Sequence, residues 1–116
     1  MNPDFFKNLY KSHFTITEII SCLNDSLGKR LQIKGLSGSS SAFFFAALIE
    51  KSSRPLFIIL NDKEEASYFY DDISLINNDN KVLFFPSSYK RLIRHGKIEQ
   101  ENIVRRTEVL NRVSKE

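Results

Sequence analysis

The spacing of apolar residues along the chain predicts four helices. Between residues 15 and 27 the apolar positions lie three or four apart, with Thr15 and Glu18 placed as a capping box and Gly28 as the stop. A second stretch, 43–49, is apolar around nearly its whole circumference, so we expect that helix to be covered on more than one side. Two later helices are marked by largely apolar stripes at Ala66, Phe69, Tyr70, Ile73 and Ile76, and at Ile103, Thr107, Leu110 and Val113.

Three short runs between these helices predict strands. Residues 31–34 alternate between apolar and polar, and 82–85 form an apolar run that is stopped by Pro86. Residues 56–60 are an unbroken apolar run after Pro55, which is typical of a strand buried on both faces of a parallel sheet. Alternating helices and strands imply right-handed crossovers, so the pattern predicts an α/β fold with three layers and a mostly parallel sheet flanked by helices.

The loop at residues 35–42 has the layout of a phosphate-binding loop without its chemistry. A working loop reads G-x-x-x-x-G-K-[ST], in which the lysine neutralises phosphate charge and the hydroxyl binds Mg²⁺. Here Gly35 keeps the first position, while Ser40, Ser41 and Ala42 replace the second glycine, the lysine and the hydroxyl. The residues left for weak anion contact at the helix N-terminus are Gly35, Gly38, Ser39, Ser40 and Ser41.

The other interpretation of this loop is a serine-capped turn between a strand and a helix. On either interpretation we expect no tight ATP binding and no hydrolysis. The change Ser41→Lys alone should not restore activity, because Ala42 still offers no metal ligand and no acidic pair completes the site.

A second candidate site is the basic loop at residues 87–97, beyond the end of the last predicted strand. Its cations are Lys90, Arg91, Arg94 and Lys97. They could meet nucleic-acid phosphates or an acidic partner domain, or they could simply be solvated. We expect weak, non-specific duplex binding at best, with dissociation constants of about 10⁻⁴ to 10⁻⁶ M.

Composition narrows the class of protein. The 116 residues are 41% apolar and carry a formal charge of +3 from well-mixed signs, which fits one globular domain. The single Cys22 excludes an internal disulfide and a multi-cysteine zinc site and fits the cytoplasm. No run reaches the roughly 18 apolar residues of a membrane span, and His13 and His95 lack neighbours at ligand spacing, so we expect no membrane and no metal site.

Five segments, taken in order, resemble the N-terminal UvrB-like domain of the bacterial transcription-repair coupling factors, the Mfd family. They are residues 35–39, 42–44, 62–72, 84–91 and 106–110. The run Phe-Phe-Pro-Ser-Ser-Tyr-Lys-Arg at 84–91 is the most specific of them. The resemblance implies a helicase-type, P-loop NTPase-like fold with a degenerate nucleotide loop, in which 1–28 form a helical segment and 29–116 the first part of the α/β domain of a longer protein.

The resemblance also implies a function in transcription-coupled nucleotide excision repair. Members of the family displace stalled RNA polymerase from damaged double-stranded DNA with an ATP- and Mg-dependent translocase that lies outside the matched region, and they recruit UvrA. This chain would then be a non-catalytic scaffold without a cofactor of its own, contacting other domains of the same protein, and it should not bind UvrA appreciably by itself. Two alternatives stay open: a nucleotide-binding enzyme domain with a non-standard loop, and a nucleic-acid-binding module built on the basic loop.

Overall fold

All the regular secondary structure found in the described residues is helical. The computed structural model describes residues 2–25, 27–78, 81–87 and 96–115, with 96–99 described by their backbone alone. The helices in this part of the chain are α1 (Pro3–Ser12), α2 (Phe14–Asn24), α3 (Ser40–Lys51), α4 (Lys63–Asn77) and α5 (Gly96–Val113). All four predicted helices are therefore present, and α1 precedes them.

The prediction of a three-layer α/β fold with a mostly parallel sheet is wrong, and the prediction of a P-loop NTPase-like class, which depends on that sheet, is wrong too. Residues 31–34, 56–60 and 82–85 are all described, and none of them is a strand. No backbone hydrogen bond joins one of these segments to another within the described residues. A strand needs a neighbour for its N–H and C=O groups, and an apolar run does not by itself supply one.

Burial shows why the run at 56–60 misled the prediction. Leu56 packs against the core of the first helices, but Phe57 is 80% exposed and Ile59 is 81% exposed. The run therefore has one side on the protein and one side in solvent. Apolar residues in sequence indicated burial on both faces, and the structure provides burial on only one.

The first of two compact units comprises Met1–Ile58 with Asp72–Asn78. In it α1 and α2 both pack against α3. The core residues come from α2 and α3 and are Ile16, Ile19, Phe44, Ala47 and Leu48. On the α1 side, the Phe43 ring lies 5.7 Å from Phe6 and 6.2 Å from Tyr10, centroid to centroid. The expectation that α3 is covered on more than one side is confirmed.

Local capping determines where the first two helices begin. Asn2 caps α1 by accepting a 3.0 Å hydrogen bond from the Asp4 N–H, and Pro3 occupies the first helical position. His13 caps α2, its Nδ1 accepting from the Thr15 N–H at 3.3 Å. The predicted capping box at Thr15 is therefore wrong by two residues, and α2 ends at Asn24 rather than near Leu27.

The second unit comprises Ile59–Asp71 with Asp79–Glu116, so α4 contributes residues to both units. The start of α4 is capped by Asp62, whose Oδ1 accepts a 2.8 Å hydrogen bond from the Glu65 N–H. The Glu65 carboxylate in turn accepts from the Asn61 N–H at 3.2 Å. This reciprocal pair fixes the first turn of α4 and uses two of the acidic residues there.

Candidate functional site

The serine loop before α3 is closed by hydrogen bonds within itself. The Ser40 hydroxyl accepts from the Ser37 N–H at 2.7 Å and donates to the Ser37 carbonyl at 2.6 Å. The Ser41 hydroxyl donates to the Gly38 carbonyl at 3.1 Å. Ser39 stands at the cap position but makes no capping hydrogen bond with its side chain. The hydroxyls of Ser40 and Ser41 are therefore directed at the loop's own backbone.

The glycines of this loop serve its backbone conformation. Gly35 has φ +89° and Gly38 has φ +54°, values that L side chains rarely adopt. A Cβ built on either glycine meets no atom within 4 Å, so neither glycine is needed for close packing. Their presence in the sequence is explained by the turn itself.

The residues of the serine loop do not fit a nucleoside triphosphate. Ala42 occupies the metal-ligand position and is 1% exposed, so its side chain faces the core. Ser41 occupies the lysine position and brings no charge. A triphosphate needs a cation and a metal ligand at these places, and the loop offers neither.

A cluster that the sequence prediction missed joins α1 to α3. Lys7 is buried, and its Nζ lies 2.8 Å from Glu50 Oε1 and 3.4 Å from Asp4 Oδ1. The same Nζ donates to the carbonyl of Ile76 at 3.4 Å. Lys11 Nζ lies 2.7 Å from the other oxygen of Glu50. One carboxylate therefore holds two lysines.

The chemistry of this cluster is that of a fixed ion network. The hydrogen bond from Lys11, followed by that from Lys7, lowers the pKa of Glu50. The hydrogen bond to Glu50 raises the pKa of Lys7. Glu50 is thus a poor general base and Lys7 a poor nucleophile, so the network supports structure. The feature of the sequence that could have indicated this network is Lys7, which stands three residues before Tyr10 on the apolar side of α1.

A second cluster joins α5 to residues 84–86 through two arginines. The Arg106 guanidinium carbon lies 4.3 Å from the Phe85 ring centroid, and its Nη1 donates to the Pro86 carbonyl at 2.9 Å. The Arg105 guanidinium carbon lies 5.4 Å from the centroid of Phe84. Arg105 also forms a 3.0 Å ion pair with Glu101, as the sequence suggested.

The residues that mark α5 in the sequence are not the ones that pack. The stripe at Ile103, Thr107, Leu110 and Val113 marked the helix in the sequence, and all four residues are exposed. The half-buried Arg105 and Arg106 contact the aromatic rings instead. A guanidinium is flat and can stack on an aromatic face while its charge stays hydrogen-bonded, so a charged side can pack as well as an apolar one.

The basic loop lies largely outside the described residues. Lys90, Arg91 and Arg94 are not described, and Lys97 lies in the first turn of α5, where only the backbone is described. The predicted contact of these basic residues with nucleic acid or a partner domain therefore lies outside the described residues and stays a prediction.

Other functional groups add no further site. Within the described ranges no group of three or more His, Cys, Asp or Glu residues is placed to hold a metal ion. Cys22 is half-buried on α2. No helix in the described part of the chain is long and apolar enough to cross a membrane.

Comparison with family models, curated proteins and solved structures found no match for the chain.

Proposed function

We propose that this chain is a non-catalytic interaction module, the scaffold part of a transcription-coupled nucleotide excision repair factor. The observation that carries the non-catalytic role is the self-closed serine loop. Its Ser40 and Ser41 hydroxyls bond to the loop's own carbonyls, and the buried Ala42 stands where a metal ligand would be needed. The loop is thus a turn that starts α3.

The repair role rests on the sequence motifs and on no shared fold. The run at 84–91 and the segment 62–72 resemble the transcription-repair coupling factors, and the α/β scaffold that would have supported the same link is absent from the described residues. In this proposal the chain acts in the cytoplasm through other domains of the same protein. ATP, Mg, UvrA, RNA polymerase and double-stranded DNA are then ligands of the longer parent.

Two measurements on the same chain test the proposal. Calorimetry with Mg-ATP and a phosphate-release assay should show no saturable binding and no turnover for the native chain. Ser41→Lys should gain at most a weak charge-dependent anion affinity, because Ala42 still offers no metal ligand. ATP turnover by the native chain would contradict the non-catalytic role.

The repair role needs a cellular measurement. Cells lacking this chain should lose the preferential repair of transcribed strands after ultraviolet damage, while repair of the other strand continues. Suppose that the chain neither binds nor hydrolyses ATP and that cells lacking it keep the strand preference of repair. The role as an interaction module would then stand, and a role in this repair process would be excluded.

A further inference from the structure

The residues on one side of α4 are exposed and take no part in its packing. The residues of this face are Glu64, Tyr68, the adjacent pair Asp71 and Asp72, and Leu75, and they lie within an arc of about 100° around the helix. Tyr68 is 66% exposed and Leu75 is 75% exposed. We call these five residues the outer face of α4. Because α4 is one continuous helix, their spacing is determined by the helix alone.

The opposite side of α4 already accounts for its packing. Ile73 and Ile76 are buried there, and Ala66, Phe69 and Tyr70 are half-buried. Exposed apolar residues scattered singly need no explanation. Tyr68 and Leu75 are different, because they stand seven residues and about 10.5 Å apart on one face. They have the spacing of two anchor residues of a helix that lies in a groove.

The charge around the two anchors has one sign. Glu64, Asp71 and Asp72 are exposed, and among the described residues none of them has an ion pair. The one basic residue of α4 is Lys63, whose Nζ contacts Asn102 Oδ1 at 3.5 Å. The outer face is thus negative on a chain whose formal charge is +3.

These charges select among the partners of such a face. Nucleic acid and anionic membrane surfaces are negative and would be repelled. A second copy meeting the first through the same face would place like carboxylates against each other. A protein surface with lysines and arginines around an apolar groove would neutralise the carboxylates and receive both anchors.

We propose that the outer face of α4 is a docking site for a partner protein that presents an apolar groove rimmed by basic side chains. The inference rests on the proposed interaction role and gives it a surface and a partner chemistry. Tyr68 and Leu75 supply the buried contacts, and the carboxylates supply orientation and a faster, salt-sensitive association.

The test uses the full chain and a defined probe. The probe is a synthetic amphipathic peptide of about 18 residues with a leucine stripe flanked by lysines, long enough to be helical on contact. The same peptide with glutamates in place of the lysines is the charge control. Binding is measured by fluorescence anisotropy at two salt concentrations, and the site is mapped by amide chemical shifts.

The lysine peptide should bind and the glutamate peptide should not, with shifts centred on residues 64–75. Tyr68→Ala and Leu75→Ala should each weaken binding about three- to tenfold, and Asp71→Asn with Asp72→Asn should flatten the salt dependence. Leu110→Ala removes another exposed apolar residue, from α5, and should change nothing. Circular dichroism checks that each variant is folded.

Three results would overturn the docking site. They are absence of lysine-peptide binding, shifts that spread over α5 or the whole surface, and self-association of the chain through Tyr68 and Leu75. Each of them leaves the ATP measurements unaffected. ATP turnover, conversely, would remove the proposed function whatever the peptide does, so the two failures are distinguishable.

Discussion

Glu50 is the residue on which the ion network of the first unit depends. Its two carboxylate oxygens bind Lys7 at 2.8 Å and Lys11 at 2.7 Å, so loss of its charge affects both lysines of α1. Lys7 is the more sensitive of the two, because it is buried and little solvent can replace the lost partner. Lys7 would keep Asp4 at 3.4 Å but lose its nearer carboxylate, and that loss is more costly for a buried cation than for an exposed one.

Glu50→Gln should therefore destabilise the chain by about 1–3 kcal/mol near neutral pH. The pKa of Glu50 is lowered in the folded state from its ordinary value of 4.5. Its contribution is thus present above pH 4.5 and is lost as the pH falls through the lower folded-state pKa. Urea denaturation at a series of pH values should show the native and variant curves converging in acid.

Glu18→Gln on α2 is the matched control. Glu18 is exposed and has no ion pair among the described residues, so we expect a change below about 0.5 kcal/mol.

At alkaline pH the raised pKa of Lys7 makes stability depend on pH in the opposite direction. Its contribution is complete below 10.5 and is lost only as the pH rises through the higher folded-state pKa. Native and Glu50→Gln curves that stayed parallel in acid would contradict this account of the network.

At the scale of the element, α5 shows that a helix can be recognised from a stripe of residues that is not its buried side. The apolar spacing correctly predicted a helix, but the side that contacts other residues carries Arg105 and Arg106. Hydrophobic periodicity does not register an arginine as a packing residue. The energy here comes from stacking on aromatic rings and from a hydrogen bond to a carbonyl.

Arg106→Ala should release residues 84–86 from α5 and cost about 1–3 kcal/mol, because it removes a stacked charge and a charged hydrogen bond together. Arg106→Lys should lose most of the same energy, since an ammonium keeps the charge but not the flat stacking surface. Hydrogen exchange of residues 82–87, with the free energy of unfolding, measures both effects.

Arg112→Ala on the same helix is the control. Arg112 pairs with the exposed Glu108 at 3.8 Å, and such surface pairs contribute about 0–1 kcal/mol. Equal exchange at residues 82–87 in the Arg106 and Arg112 variants would show that the guanidinium of Arg106 does not hold this segment.

At the scale of the whole molecule, the sequence allowed the helices to be predicted and the sheet to be predicted wrongly, for one reason. Apolar spacing predicts which side of a helix is buried, and α3 and α4 follow that prediction whereas α5 does not. It does not report whether a backbone finds a neighbour to pair with, which depends on residues far away in sequence. The serine loop was predicted to be non-catalytic, which stays a prediction, and the use of its hydroxyls within the turn depends on geometry that spacing does not contain.

Two phenylalanines allow the observed helical packing to be distinguished from the predicted sheet by experiment. Phe44 lies in the core and is 4% exposed, whereas Phe57 belongs to the run that the sequence placed inside a sheet and is 80% exposed. Phe44→Ala should cost about 3–5 kcal/mol, a large share of the roughly 5–15 kcal/mol that stabilises a domain. Phe57→Ala should cost less than about 1 kcal/mol, because its ring is already in water. Chemical denaturation of both variants under one buffer condition decides between them. A cost for Phe57→Ala as large as that for Phe44→Ala would mean that residues 56–60 are buried on both sides and that the helical packing described above is wrong.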